Sequence, residues 1–156
     1  MKERYFDDLK VGDRFNSEPL SVTEKEVIEF AHKFDPQMFH LSRRSAERSI
    51  FKGLIASGWH TAAMTMAVIA RRVVDQKQAG LGSPGIDELR WRKPVYPGDT
   101  LHVRGEILEK TPSRSRPEIG SFRTQTIVTN QDDEVVMTMV SIVLIRRRPE
   151  GDSPAG

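Results

Sequence analysis

The order of hydrophobic periods predicts an α+β fold in which an antiparallel sheet wraps around a long central helix. Three observations carry this. Apolar residues recur at helical spacing in the first part of the chain, one stretch from Leu54 to Val74 is apolar almost throughout, and from Ile86 onward the period drops to two. A greasy helix followed by a run of strands has little but that sheet to bury against. With 156 residues, 37% of them hydrophobic, the chain suits one domain and would starve a second core. That domain is expected over residues 1–148, with a flexible Pro/Gly/Ser tail over 149–156.

The elements follow in order. Phe15 to Ser21 reads as a modest extended segment. Thr23-Glu24-Lys25-Glu26 is a capping box, in which the hydroxyl serves an orphan helix N–H and the carboxylate reaches back. Behind it Val27, Phe30, Ala31 and Phe34 form one buried stripe, and Asp35-Pro36 ends the helix because a residue before proline leaves the helical region. A loop runs from Asp35 to Leu41, in which Met38 and Phe39 are expected to bury. Ser42 caps a short polar helix to about Arg48. The Leu54–Val74 helix presents Trp59, Ala63, Met66, Ala67 and Val74 on one face and further apolar residues on the others. It therefore reads as a core helix buried all round. Ser57, His60, Thr61 and Thr65 interrupt it, and Arg71-Arg72 arrives before about 20 apolar residues accumulate, so no membrane span is expected. Ile86–Val95, Leu101–Ile107, Phe122–Val128 and Val135–Ile145 alternate as strands.

Composition removes several chemistries. There is no cysteine, which excludes disulfides, thiolate catalysis and Cys-type metal sites. The four histidines form no H-x-x-x-H or H-x-H pair, so no metal site is expected. No G-x-S-x-G nucleophile elbow occurs. The glycine-rich run Gly80–Gly85 precedes a strand instead of opening a helix, which argues against a phosphate cradle. Lys+Arg exceed Asp+Glu by 24 to 22, and the short basic runs lack interleaved aromatics, so no nucleic-acid partner is expected. The first residues carry no apolar stretch of a secretory signal, and a cytoplasmic location is expected.

Of the histidines, His32 lies on the polar side of its helix, His102 reads as outward-facing, and His60 as a core histidine satisfied by a hydrogen bond. His40 sits five residues after Asp35 in a loop of bulky residues. A carboxylate and an imidazole in a partly desolvated loop can work as an acid/base pair near neutral pH. The spacing alone equally allows a helix-ending aspartate and a packed histidine. The second candidate is Ile55-Ala56-Ser57-Gly58-Trp59, where a buried helix beginning at glycine would offer free N–H groups and a positive dipole end to a developing oxyanion. A simple close-packing glycine remains the other reading.

These residues resemble the MaoC-like dehydratases, the hotdog-fold family that includes (R)-specific enoyl-CoA hydratases. The resemblance runs from Phe6-Asp7-Asp8-Leu9-Lys10-Val11-Gly12 to Arg146. It includes Pro94-Val95-Tyr96-Pro97-Gly98-Asp99-Thr100-Leu101, similar to the P-V-x-P-G-D-x-L junction of hotdog proteins. Asp35 and His40 fall on the family's catalytic pair in D-x-N-P-x-H, with Gln37-Met38 replacing Asn-Pro. Ser57 stands where many members have histidine, and Trp59 replaces the usual methionine, which implies an altered pocket and a substrate other than a short linear enoyl chain.

The resemblance implies hydration of an enoyl-CoA, or dehydration of a 3-hydroxyacyl-CoA, in fatty-acid-type metabolism. Asp35 and His40 would move the protons, and Gly58, Ser57 and Trp59 would line the oxyanion and substrate site. No cofactor is implied beyond the CoA of the substrate, for whose phosphates Arg114 and Arg116 are candidates. A homodimer with sheets joined edge to edge is expected. A hotdog thioesterase would need a carboxylate on the core helix, and none occurs before Asp75. A non-catalytic acyl-thioester-binding subunit would not need the Asp35/His40 pair.

Overall fold

The computed structural model describes residues 2–152 and Pro154. After a 3-10 turn at Phe6–Asp8 come β1 (Arg14–Asn16), β2 (Leu20–Ser21), α1 (Glu24–Phe34), α2 (Met38–Leu41) and α3 (Arg43–Glu47). The long helix α4 (Gly58–Asp75) precedes β3 (Gly85–Trp91), β4 (Thr100–Pro112), β5 (Ile119–Thr129) and β6 (Val135–Arg146). The strands pair antiparallel in the order β1-β4-β5-β6-β3, with β2 also on β4. This is the α+β sheet-on-helix architecture that the change of period predicts.

Alternation sets which side faces α4. Val103 of β4, Val128 of β5, and Met137 and Met139 of β6 are buried in one cluster with Met64 of α4. Met137 is fully buried, and truncating such a side chain to alanine costs about 2–5 kcal/mol. A second cluster closes the far end of the sheet, where Tyr5, Phe6 and Leu9 dock on Ile107, Phe122 and Ile145. Gly120 is small for this reason: a Cβ there would lie 2.6 Å from the Phe6 ring. Ion pairs of Arg146 with Glu3, Arg147 with Asp7 and Arg148 with Asp8 clasp the first residues to the last strand.

The loops before the site are built by local hydrogen bonds. Thr23 Oγ1 accepts the Glu26 N–H at 3.3 Å, which is the hydroxyl half of the expected capping box without the return bond from the Glu26 carboxylate, and Ser42 caps α3. In the Tyr96–Asp99 turn, Asp99 accepts the Tyr96 N–H at 3.0 Å and the Gln131 side-chain amide at 3.0 Å, while Gly98 takes φ +93°. The Ala56 N–H then donates to the Val95 carbonyl at 2.8 Å, tying the chain before α4 to this turn.

Several expectations are corrected. The 35–41 segment is not all loop, since Met38–Leu41 closes a helical turn. Phe34 and Met38 are exposed, because Ile28 in α1 and Phe39 in α2 take the inward positions instead. The strand expected over Ile86–Val95 ends at Trp91, and a bulge between Asp87 and Arg90 puts Glu88 at φ +53°.

The helix α4 is not buried all round. His60, Thr61, Met64 and Thr65 face inward, whereas Trp59, Met66 and Val74 are 59%, 52% and 73% exposed. A single sheet covers only one side of a helix, so the stripe expected to be the core face is the uncovered one. Of the expected tail, Ser153, Ala155 and Gly156 lie outside the described residues. No described helix is long and apolar enough to cross a membrane.

Candidate active site

Asp35 ends α1, its N–H bonded to the Ala31 carbonyl, and the following turn carries the chain into α2. This brings His40 back over Asp35, with His40 Nε2 3.3 Å from Asp35 Oδ2 and the imidazole 6% exposed. The other ring nitrogen, Nδ1, lies 2.8 Å from the Ile55 carbonyl oxygen. A carbonyl only accepts, so Nδ1 carries a hydrogen and Nε2 is the nitrogen left for proton exchange with Asp35. Phe39 packs edge-on against His40 at 4.5 Å and holds the ring plane.

Two further donors act on the carboxylate. The Gln37 side-chain amide donates to Oδ1 at 2.7 Å, and the Ser57 hydroxyl donates to Oδ2 at 2.7 Å. Burial is the largest single influence on Asp35 and pushes its pKa up. The bonds from Gln37 and Ser57, with the charge and hydrogen bond of His40, together outweigh it and hold the carboxyl below its usual value. Asp35 is therefore ionised at neutral pH.

Ser57 also joins this pair to α4. It is the N-cap of that helix and fully buried, yet its hydroxyl caps no helix N–H. Gly58 and Trp59 thus begin the helix with N–H groups that have no acceptor within it. Glycine at 58 permits a close approach, since a Cβ there would lie 2.5 Å from the Trp91 ring. Trp59 meets Trp91 edge to face at 5.1 Å. One small region thereby holds an ionised carboxylate, an imidazole of fixed tautomer and a helix N-terminus packed against the Trp91 ring.

The expected site residues separate into two groups. Asp35, His40, Ser57, Gly58 and Trp59 come together. Ser57 does so as a hydrogen-bond donor to Asp35, a role its place beside Gly58 did not reveal, and Gln37 is a second donor that the sequence reading did not assign. Arg114 and Arg116 do not join them. They occupy the β4–β5 hairpin tip, where Arg116 pairs with Glu118 at 2.8 Å. Trp91 at the site pairs with Met137, which pairs with Val128. From there the tip lies about 30 Å along β5 at ~3.3 Å per residue. Within this chain they stand at the far end of β5 from Gly58.

His32 and His102 are exposed, as their faces predict. His60 departs from expectation. It is buried and stacked on Phe30 at 4.7 Å, but its Nδ1 has no hydrogen-bond partner among the described residues. Burial lowers its pKa, against a weaker opposing pull from Glu26, and favours the neutral ring. No cluster of three or more potential metal ligands occurs among the described residues.

Comparison with known proteins identifies the family and the fold. Residues 9–131 match the family model described as the MaoC like domain. The chain is 32% identical over 152 residues to a 3-hydroxybutyryl-CoA dehydratase of Methylorubrum extorquens, covering 95% of this chain and 88% of that protein. It is 30% identical over 144 residues to YdeM of Bacillus subtilis, with 90% and 98% covered. The crystal structure of a MaoC-like dehydratase from Rhodospirillum rubrum is 42% identical, covers 94% of this chain and 99% of that one, and superposes with a TM-score of 0.84. The (R)-hydratase PhaJ1 of Pseudomonas aeruginosa, at 24% identity, shares the fold with a TM-score of 0.69 over 97% of this chain and 95% of its own. The architecture is the hotdog fold, and the chain belongs to the MaoC-like dehydratase family.

Proposed function

We propose that the chain is an acyl-CoA hydratase/dehydratase that adds water to an enoyl thioester, or removes it from a 3-hydroxyacyl thioester, through Asp35 and His40. One observation carries the reading: the 3.3 Å approach of His40 Nε2 to an ionised Asp35 that Ser57 ties to the start of α4. Nε2 and Oδ2 are both acceptors when the ring is neutral, so a single proton or a water hydrogen is needed between them. A water placed there has its hydrogens directed at the pair and its lone pairs turned outward. As its oxygen bonds to the β-carbon, one proton enters the Asp35/His40 couple. The π electrons move towards the thioester oxygen, which the Gly58 N–H stabilises. The couple then releases a proton to the α-carbon and returns to its starting state. Dehydration is this sequence reversed.

Membership of the MaoC-like family and similarity to the 3-hydroxybutyryl-CoA dehydratase of Methylorubrum extorquens support this substrate class. A thioesterase is less well supported, because α4 carries no carboxylate between Gly58 and Val74. Asp35→Asn is expected to reduce hydration of crotonyl-CoA or a branched homologue by about 10²–10⁴-fold, read as loss of the conjugated thioester absorbance, with folding intact. Undiminished turnover in that variant overturns the mechanism. Release of free thiol without double-bond chemistry favours the thioesterase.

The same reading includes a homodimer. β3 is the edge of the sheet, and the uncovered α4 stripe runs beside it with Trp91 and Ile86 exposed. A sheet edge and an apolar face left bare together call for a partner. Sedimentation at micromolar concentration is expected to give twice the chain mass, and a monomer overturns this part.

A further inference from the structure

Between the second half of α4 and the sheet lies a cavity of about 340 Å³, within the range of small-molecule sites. Neither Asp35 nor His40 lines it. Met66, Ile69 and Val73 of α4 and Ile107, Phe122 and Met139 of the sheet give it apolar walls. Two features are unlike an ordinary packing defect. Thr124 and Thr126 line it with buried hydroxyls that have no hydrogen-bond partner, and Thr126 is 1% exposed. Three arginines stand on its wall, and they are not equivalent. Arg4 pairs with Asp13 at 3.1 Å and donates to Gln76, and Arg14 pairs with Glu106 at 3.4 Å. Arg72 has neither a carboxylate nor a hydrogen-bond acceptor among the described residues, and its guanidinium lies over the Phe15 ring at 4.8 Å. Burial, and then the charge of Arg4, disfavours the cation there, and Asp13 only partly opposes them.

We propose that this cavity binds an alkyl chain bearing a carboxylate, with Arg72 as the receptor for the anionic end. An unpaired guanidinium held over an aromatic ring leaves its donor fork available for bidentate capture of a carboxylate. The apolar walls take the chain, and the unpartnered threonines supply hydrogen bonds to polar atoms along it. A neutral alkyl group would leave all three polar groups unanswered. The carboxylate has two possible sources: a free medium-chain carboxylate, or the far end of a dicarboxylic acyl thioester. The second rests on the hydratase reading above, and the first does not.

The test uses the full chain and two arms. In calorimetry, octanoate is expected to bind the wild-type protein and octanol at least about tenfold more weakly, as a charge-assisted bond requires. Arg72→Met, which keeps the aliphatic stem, is expected to lose octanoate binding by a similar factor, and Arg72→Lys to restore part of it. Thermal melts establish that each variant is folded. In kinetics, KM for an ω-carboxylated enoyl-CoA is compared with that for the unsubstituted thioester. A preference for the carboxylated substrate that Arg72→Met abolishes identifies the acyl end as the source. Charge-dependent octanoate binding with no such preference identifies the free carboxylate. Absence of charge dependence in both arms overturns the proposal. If no enoyl thioester turns over, the hydratase reading fails while the calorimetric arm still decides this one.

Discussion

The hydroxyl of Ser57 donates to Oδ2 of Asp35 at 2.7 Å, although Ser57 is the N-cap of α4. A serine at that position usually accepts from the first turn of its helix. Here it surrenders the capping bond and instead couples the end of α1 to the start of α4, across 22 positions of sequence. The proton-handling pair and the helix terminus are positioned by one hydroxyl.

Ser57→Ala removes that donor and leaves Asp35 with Gln37 and His40. The carboxyl pKa is lowered in the folded protein by these bonds acting against burial, so losing one moves it up towards the ordinary value. The acid limb of the pH–rate profile is expected to shift to higher pH, with kcat down about tenfold or more. A profile superimposable on the wild type removes Ser57 from the machinery.

Gly58→Ala places a Cβ 2.5 Å from the Trp91 ring, so the indole or the helix start has to move. Small-to-large changes at such contacts cost roughly 1–3 kcal/mol. The indole environment should change too, visible as a shift in tryptophan emission. Combining it with Trp91→Ala is expected to recover most of the stability loss, because the obstructing ring is gone. A double variant as unstable as the sum of the singles places the strain elsewhere.

His60 makes stability pH-dependent. Its folded pKa is lowered mainly by burial, so the unfolded chain binds the proton more readily. Its contribution is complete above the unfolded value of about 6.5 and declines as pH falls below it, when unfolding is coupled to proton uptake. Urea midpoints taken between pH 7.5 and 5.5 should fall more steeply for the wild type than for His60→Leu. Parallel slopes would mean the ring is protonated at no extra cost in the fold.

Asp99 separates architecture from chemistry. Its carboxylate holds the Tyr96 N–H and the Gln131 amide. Asp99→Ala is expected to cost about 1–3 kcal/mol by removing both bonds to a charged acceptor. Its kcat per folded molecule should stay near the wild-type value. A selective loss of kcat with unchanged stability contradicts this division.

Much of this was legible in local chemistry. Thr23 with Glu26, Asp35 before Pro36, and the Pro97-Gly98-Asp99 turn each act through neighbours a few residues away, and each appears where its motif requires. Asp35 and His40 were legible as a pair because one tight turn joins them. What stayed hidden depends on distant segments. Whether Phe34, Met38 or the Trp59–Met66–Val74 stripe is covered is decided by how far one sheet reaches, which periodicity does not encode. Arg114 and Arg116 gave no sign that β4 and β5 would carry them to the opposite end. Arg72 looked like the charged end of a greasy helix. Its lack of a counter-ion emerges only when Arg4 is seen to have taken Asp13.

The clasp of Arg146, Arg147 and Arg148 on Glu3, Asp7 and Asp8 has a consequence for biosynthesis. Residues 3–9 are made long before the segments they bind, so Tyr5, Phe6 and Leu9 have no finished landing place until β6 has emerged. The same proximity makes the domain a ready scaffold for circular permutation, with a short linker from Arg148 to Glu3 and an opening at the exposed β4–β5 hairpin tip.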